Sequence, residues 1–381
     1  VYCAVLFGLC MVSHGEMVRS RPTTDHLTLF YLYVALGGAV GGILVNLVAP
    51  YLFKGYWELH IVTVTVGLVA IVSLLLDKES LPIFSRWAFS LVATFGLAIA
   101  AHQLLKHKND QGLTSLETKR GFFGIVHVYE QDVDTPDHYR ALYYGRIRHG
   151  EQYPSVTSRN IPGAYYGKHS GIGYTFAGLP LRIAGSAIKV GVIGLGVGTI
   201  AGYAQDGDSV TFYEINPDVE YFAEQHFSYI KDSHAEVNIV IGDARTSLSE
   251  QLVEQGSQQF DLLVLDAFNG DAIPVHLLTE QAYELYWQHL KDNGVLALHI
   301  TNRHLDLTDV VRQLAKKNGK QAVLIHDLGG VKTDPNKWVL ISDNSEFLDN
   351  IEEEDVAKTW YDDPKPIFWT DDFSSLFDII K

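Results

Sequence analysis

The sequence predicts an α-helical membrane segment followed by an α/β domain, on three observations. Formal charge is absent from Leu27 to Phe53, from Leu59 to Leu76 and from Trp87 to Leu105. Of 29 basic and 45 acidic residues, five of each precede residue 106, so residues 106–381 carry the whole net charge of −16. From Ile188 onward, short apolar runs alternate with amphipathic ones, the pattern of parallel strands covered by helices.

A membrane-spanning helix needs about 20 apolar residues, and charge is costly within it. The three uncharged runs therefore read as spans, and Val1–Ser13 as the end of a further one. Residues 1–106 would be a fragment of a longer membrane domain. A signal peptide competes for the first run, but a basic leading region is missing and more apolar runs follow. Gly37, Gly38, Gly41 and Gly42 place small residues four apart, a spacing that permits close helix contact in lipid. His14 and Glu16, at the end of the first run, call for a partner or an interfacial position. Lys and Arg are too evenly divided among the loops to set an orientation.

The charge distribution excludes a nucleic-acid binder working through a basic surface, because the acidic part repels phosphate. The two cysteines, Cys3 and Cys10, lie in the apolar part, so neither a disulfide framework nor a thiolate zinc cluster is expected. No metal is expected at all.

Residues 113–180 read as a small β domain with a site-lining loop. Strands are expected at Gly124–Glu130 and Tyr139–Tyr144, with the turn-prone Asp132–Asp137 between them. Arg146–Gly178 is rich in Gly, Tyr, His and Arg and reads as that loop. Residues 181–381 read as a Rossmann-like domain. Its strands are expected at Val190–Gly194, Ser209–Tyr213, Val237–Ile241, Leu262–Asp266 and Val295–Ile300. Helices are expected at Ile200–Ala204, Pro217–Phe227, Thr279–Leu290 and Asp309–Lys317. The acid run Glu352–Asp355 reads as a solvated helix start.

Within this domain, Gly194-Leu-Gly196-Val-Gly198-Thr follows a buried strand. Glycines let the backbone approach a ligand, and a helix start offers free N–H groups. Glu214 ends the next strand, 20 residues after Gly194, where a carboxylate can accept both ribose hydroxyls of an adenosine. Gly242-Asp243-Ala244 ends the third strand, with Asp243 placed for an adenine amino group. These features point to a nucleoside cofactor, and the Asp266 loop after the fourth strand favours an adenosylmethionine arrangement over a dinucleotide. Asp266 and Asp271 sit where strand ends face the cofactor crevice. A carboxylate there can hold an amine, accept its proton and offset a sulfonium charge. His276 follows in the same loop. Gln152, Tyr165 and Tyr166, together with His149, lie in the aromatic segment that would close over substrate.

With these residues in view, the sequence resembles the spermidine synthase family, aminopropyltransferases on the adenosylmethionine-dependent methyltransferase fold, and among them the membrane-fused spermidine-synthase-like proteins. The segments that carry the likeness run from His14-Gly-Glu16, through Tyr165-Tyr-Gly167 and Ser170-Gly-Ile-Gly173, to the tail Trp369-Thr-Asp-Asp-Phe373. The resemblance implies that Glu214 holds the ribose, Asp243 the adenine and Asp266 the attacking amine. It implies transfer of an aminopropyl group from decarboxylated S-adenosylmethionine to a diamine such as putrescine. Two departures bear on that. The family's acid within the glycine turn is here Val197, and the second acid of its reaction loop is here five residues after Asp266, at Asp271, rather than three.

Three functions are therefore carried forward. One is aminopropyl transfer. A second is methyl or other alkyl transfer from intact S-adenosylmethionine, motivated by Val197. The third is a transport or sensing module in which a nucleoside- or polyamine-binding domain acts on the helices. The expected partners are a small-molecule amine, the lipid bilayer and a second copy of the chain, without nucleic acid. The expected location is the inner or plasma membrane, with the catalytic domain in the cytoplasm where the co-substrate is made.

Overall fold

The computed structural model describes residues 2–76, 84, 87, 90–91, 94–95, 98–99, 102, 115–268, 273–352, 357–360 and 362–381. They fall into two units, residues 1–114 with 119–125, and residues 115–118 with 126–381.

The first unit is helical. Helix α1 (Tyr2–Arg19) carries the first apolar run. Helix α2 (Leu27–Ile43) passes through a π turn, Leu44–Val48, into α3 (Ala49–Leu52), and α4 (Trp57–Leu76) follows. Thr24–Leu52 forms one helix of 29 residues, with an 18-residue stretch of mean hydropathy 2.0, long and apolar enough to cross a membrane. Trp57–Ser73 is a shorter apolar helix. Of the third expected run, 87–105, only scattered positions are described, all of them helical. Glu16 has partners: it pairs with Arg19 at 3.4 Å and accepts a hydrogen bond from Ser73 on α4. The expected close packing on the glycine stripe is not seen among the described residues: a Cβ at Gly37, Gly38, Gly41 or Gly42 would meet nothing within 4 Å.

Two sheets follow, and apart from residues 119–121 and 124–125 their strands belong to the second unit. Strands β1 (Ser115–Gly121), β2 (Gly124–Gln131), β3 (Tyr139–Tyr144) and β4 (Ile147–Gln152) form one sheet in that order. Strand β4 and the helix α5 (Gly171–Gly178) lie inside the stretch expected to be loop. The short α6 (Pro180–Ile183) leads into the larger sheet.

That sheet comprises β5 (Lys189–Ile193), β6 (Ser209–Glu214), β7 (Glu236–Ile241), β8 (Phe260–Leu265), β9 (Leu290–His299), β10 (Gln321–Asp327), β11 (Asn336–Ser342) and β12 (Ala357–Thr359). Its order is β12-β10-β11-β9-β8-β5-β6-β7. Strands β7, β6, β5, β8 and β9 are parallel, and β11 runs against β9, so the sheet is mixed. Every residue of β8 is buried, as a strand covered by helices on both faces requires. Alternate side chains separate the core in two. Val190, Val192, Phe212 and Val264 pack on one face, and Ile193, Tyr213, Leu263 and Leu265 on the other.

Helices α7 (Pro217–His226), α8 (Ala244–Glu254), α9 (Glu280–His289) and α10 (Thr308–Lys317) fill the connections. Three start on side-chain caps: Asn216 accepts from the Asp218 N–H, Asp243 from that of Thr246, and Thr279 from that of Ala282. The helix expected after the glycine turn is instead one 3-10 segment, Thr199–Tyr203. With Asp206-Gly207 so close, the chain turns into β6 before an α-helix can propagate. Glu352 ends α11 (Ser345–Glu352) rather than starting a helix, and the acids after it lie outside the described residues.

Candidate active site at the carboxyl ends of the parallel strands

Strand β5 pairs with both β6 and β8, so the connections diverge on either side of it and leave a crevice at their carboxyl ends. The residues expected to hold a nucleoside line that crevice. Gly194 and Gly196 have φ of +101° and +54°, where a side chain is strained. A Cβ at Gly194 would collide with the Asp266 backbone carbonyl, and one at Gly196 would come within 2.7 Å of the His149 carbonyl oxygen. Glycine is thus needed both for the turn and for the approach of β4 and the Asp266 segment to it. Gly198, also at positive φ, opens the 3-10 turn.

Glu214 ends β6 as a buried carboxylate. Its oxygens accept from the backbone N–H groups of Leu195 (3.0 Å) and Asn216 (2.9 Å), which ties the strand end to the glycine turn. Burial raises its pKa, and these N–H contacts pull the other way.

Asp243 sits at the end of the third strand as expected, and it is also the cap of α8. One oxygen accepts from the Thr246 N–H (2.9 Å) and hydroxyl (3.0 Å), and the other meets His276 Nε2 at 2.9 Å. Burial works to raise this carboxyl, but Thr246 and His276 outweigh it and hold its pKa below the usual range. His276 therefore stands beside Asp243, while Ala244 opens α8 as a buried residue. Arg245 grips Asp371 through two nitrogens, at 2.6 and 2.5 Å, and Asp371 also accepts from Thr279 (2.8 Å). The tail Trp369-Thr-Asp-Asp-Phe373 is thereby pinned to the start of α9, a role for Asp371 that only the fold brings out.

Asp266 follows β8 with a nearly buried side chain. One oxygen accepts from the Tyr166 hydroxyl at 2.6 Å, and the other meets His299 Nδ1 at 2.7 Å. The Thr301 hydroxyl lies 2.8 Å from His299 Nε2 and accepts the Lys337 backbone N–H. In the tautomer with its proton on Nδ1, His299 donates to Asp266 and accepts from the Thr301 hydroxyl. The imidazole is clamped flat on Trp338 (4.5 Å, 6°), with Phe268 and Tyr165 against it at 5.0 and 5.5 Å. Burial and the neighbouring Asp266 charge hold the Tyr166 hydroxyl firmly protonated.

Of the expected tyrosines, Tyr166 is thus at the carboxylate and Tyr165 is against the imidazole that meets it. His299, Thr301 and Trp338 were not foreseen. A histidine in the apolar run Val295–Ile300 looks like core, and only its place at a parallel-strand end would have marked it. Gln152 is buried and uses its amide within the fold, donating to the Arg159 carbonyl (2.8 Å) and Ser228 hydroxyl (3.0 Å) and accepting from the Ser228 N–H (2.9 Å). Asp271 lies outside the described residues. Val197 is buried against the β4 backbone, where a Cβ on Gly150 would come within 2.6 Å of it.

No family model matches the chain. It is 36% identical over 126 residues to an N-terminal histidine N-methyltransferase from Emericella nidulans, a match covering 33% of this chain and 22% of the relative. It is 33% identical over 111 residues to the polyamine aminopropyltransferase of Vibrio vulnificus, covering 28% of this chain and 36% of the relative. The chain thus matches about a fifth of one curated relative's length and about a third of the other's. Among solved structures it is similar to a probable spermidine synthase from Corynebacterium glutamicum, at 14% identity and TM-score 0.47 over 64% of this chain and 90% of that one. It is also similar to human methyltransferase-like protein 13, at 16% identity and TM-score 0.37 over 52% and 96%. By sequence, then, the chain resembles a histidine N-methyltransferase and a polyamine aminopropyltransferase, each over about a third of its own length.

Proposed function

We propose that the chain is an S-adenosyl-dependent transferase that alkylates an amine nitrogen, anchored in a membrane by its apolar helices. The reaction named by the family resemblance is aminopropyl transfer from decarboxylated S-adenosylmethionine to a diamine such as putrescine. The observation that carries the reading is the buried Asp266 carboxylate, held on one side by Tyr166 and on the other by His299, with its backbone against Gly194 of the glycine turn.

A bound S-adenosyl sulfonium would supply an activated carbon. The chain supplies the rest. Gly194 to Gly198 and Glu214 fit an adenosine by close backbone approach and a carboxylate at the strand end. Asp266 would bind the amine and remove its proton. As the new C–N bond forms, the C–S bond breaks with its electron pair on sulfur, leaving a neutral thioether, and the proton ends on Asp266. Positioning and deprotonation supply the rate.

Val197 supports a second reading, in which the methyl group of intact S-adenosylmethionine is transferred. An apolar side chain packed on Gly150 offers nothing to the amine of a decarboxylated donor. Calorimetry with both donors separates the two. Tighter binding of the decarboxylated form supports aminopropyl transfer, and tighter binding of the intact form overturns it in favour of methylation.

A further inference from the structure

One polar atom at this site is used by nothing described above. His149 lies on β4, with its backbone carbonyl against Gly196 of the glycine turn and its ring 5.8 Å from that of Tyr144. Its Nε2 is buried and has no hydrogen-bond partner among the described residues. The imidazole lies within electrostatic reach of both Asp266 and His299. Burying a ring nitrogen without a partner costs on the order of 1–3 kcal/mol, so such an atom in a site asks for a ligand. Burial also pushes the imidazole down to about 4, against the pull of Asp266, so at neutral pH it is uncharged and one ring nitrogen offers a lone pair.

A nitrogen that attacks carbon must aim its own lone pair at that carbon. A neutral primary amine has two N–H groups besides that lone pair. One acceptor fixes one N–H and leaves the nitrogen free to rotate, whereas two acceptors fix the direction of attack. Asp266 is one acceptor, and His149 lies within its electrostatic reach on the strand whose backbone meets the glycine turn.

We propose that His149 is the second acceptor for the incoming nitrogen and that with Asp266 it selects a primary amine over a secondary one. The inference rests on the alkyl-transfer reading and adds the acceptor class to it. A secondary amine has a single N–H after deprotonation and leaves His149 unpartnered.

The test compares the full chain with His149→Leu and His149→Gln, using putrescine and its mono-N-methyl derivative as acceptors and each nitrogen's product resolved by mass spectrometry. The wild type is expected to alkylate the primary nitrogen at least about tenfold faster in kcat/KM than the secondary one. His149→Leu should lose that preference, with acceptor KM raised and donor affinity by calorimetry unchanged. His149→Gln, which keeps an acceptor atom, should restore part of it. The inference is overturned if His149→Leu keeps the wild-type preference, or if it weakens donor and acceptor binding alike. Should His149→Leu fail to fold, His149→Gln decides: a preference lost in that variant overturns the inference. A wild type that alkylates neither nitrogen overturns the alkyl-transfer reading and this inference together. An active wild type with an indifferent His149→Leu overturns the inference alone.

Discussion

Asp266 illustrates how much of the site belongs to neighbours distant in sequence. Tyr166 stands 100 residues before it and His299 33 residues after it, and their two hydrogen bonds fix both carboxylate oxygens. Asp266→Asn keeps the size and cannot take a proton, so turnover should fall by a factor of about 100 or more while donor affinity stays within about threefold. Initial rates and calorimetry on the same preparation check both. At Gly194 the account is steric. Alanine there would sit at φ +101° and collide with the Asp266 carbonyl, so Gly194→Ala should lower both stability, by roughly 1–3 kcal/mol, and donor affinity. Denaturant midpoints and calorimetry would show it. The pinned tail gives a pH prediction. The Arg245 guanidinium, with Thr279, holds Asp371 down at about 2, below its unfolded value. That contribution is present above the unfolded carboxylate pKa, near 4, and is lost as pH falls through about 2. Asp371 is partly exposed, so the loss is modest. Asp371→Asn should lower Tm at pH 7, and the difference should close as the wild type is taken toward pH 2.

Single elements show why some of the architecture was legible and some was not. Strands β5, β6 and β8 are short apolar runs with glycine or acid after them, and period and punctuation found them at nearly their observed bounds. Strand β8 is buried at all six positions, and Leu263→Ala should cost about 2–5 kcal/mol in chemical denaturation. Strand β4, by contrast, reads Ile-Arg-His-Gly-Glu-Gln. Gly150, Glu151 and Gln152 are its buried positions, so hydrophobic alternation gives no signal. Glu151 is held there by Arg148 at 2.5 Å, an ion pair no local pattern announces. The glycine turn was read correctly as a turn and its helix incorrectly, because the distance to Asp206-Gly207 decides helix length and propensity does not. His299 and Trp338 were missed for a related reason: in isolation each is a core residue on an apolar strand, and only pairing of β9 with β11 brings them face to face.

Over the whole molecule, the neutral and acidic parts of the sequence correspond to different architecture. The neutral part supplies Thr24–Leu52, with exposed Leu, Val and Tyr side chains along its length. Lipid is the cover proposed for exposed apolar surface on this scale. If it is, the full chain will stay with membranes through alkaline carbonate washing and leave only with detergent; release by carbonate would contradict the anchoring. The acidic part supplies the mixed sheet and its crevice, where Glu214, Asp243 and Asp266 end successive parallel strands beside a glycine turn. The most direct test of the transfer reading is product mass spectrometry. Wild type and Asp266→Asn are incubated with a panel of amines and with intact or decarboxylated S-adenosylmethionine. An alkylated amine together with the matching thioether nucleoside, formed by the wild type and not by Asp266→Asn, is the result predicted. No product from the wild type, or equal product from Asp266→Asn, would contradict it.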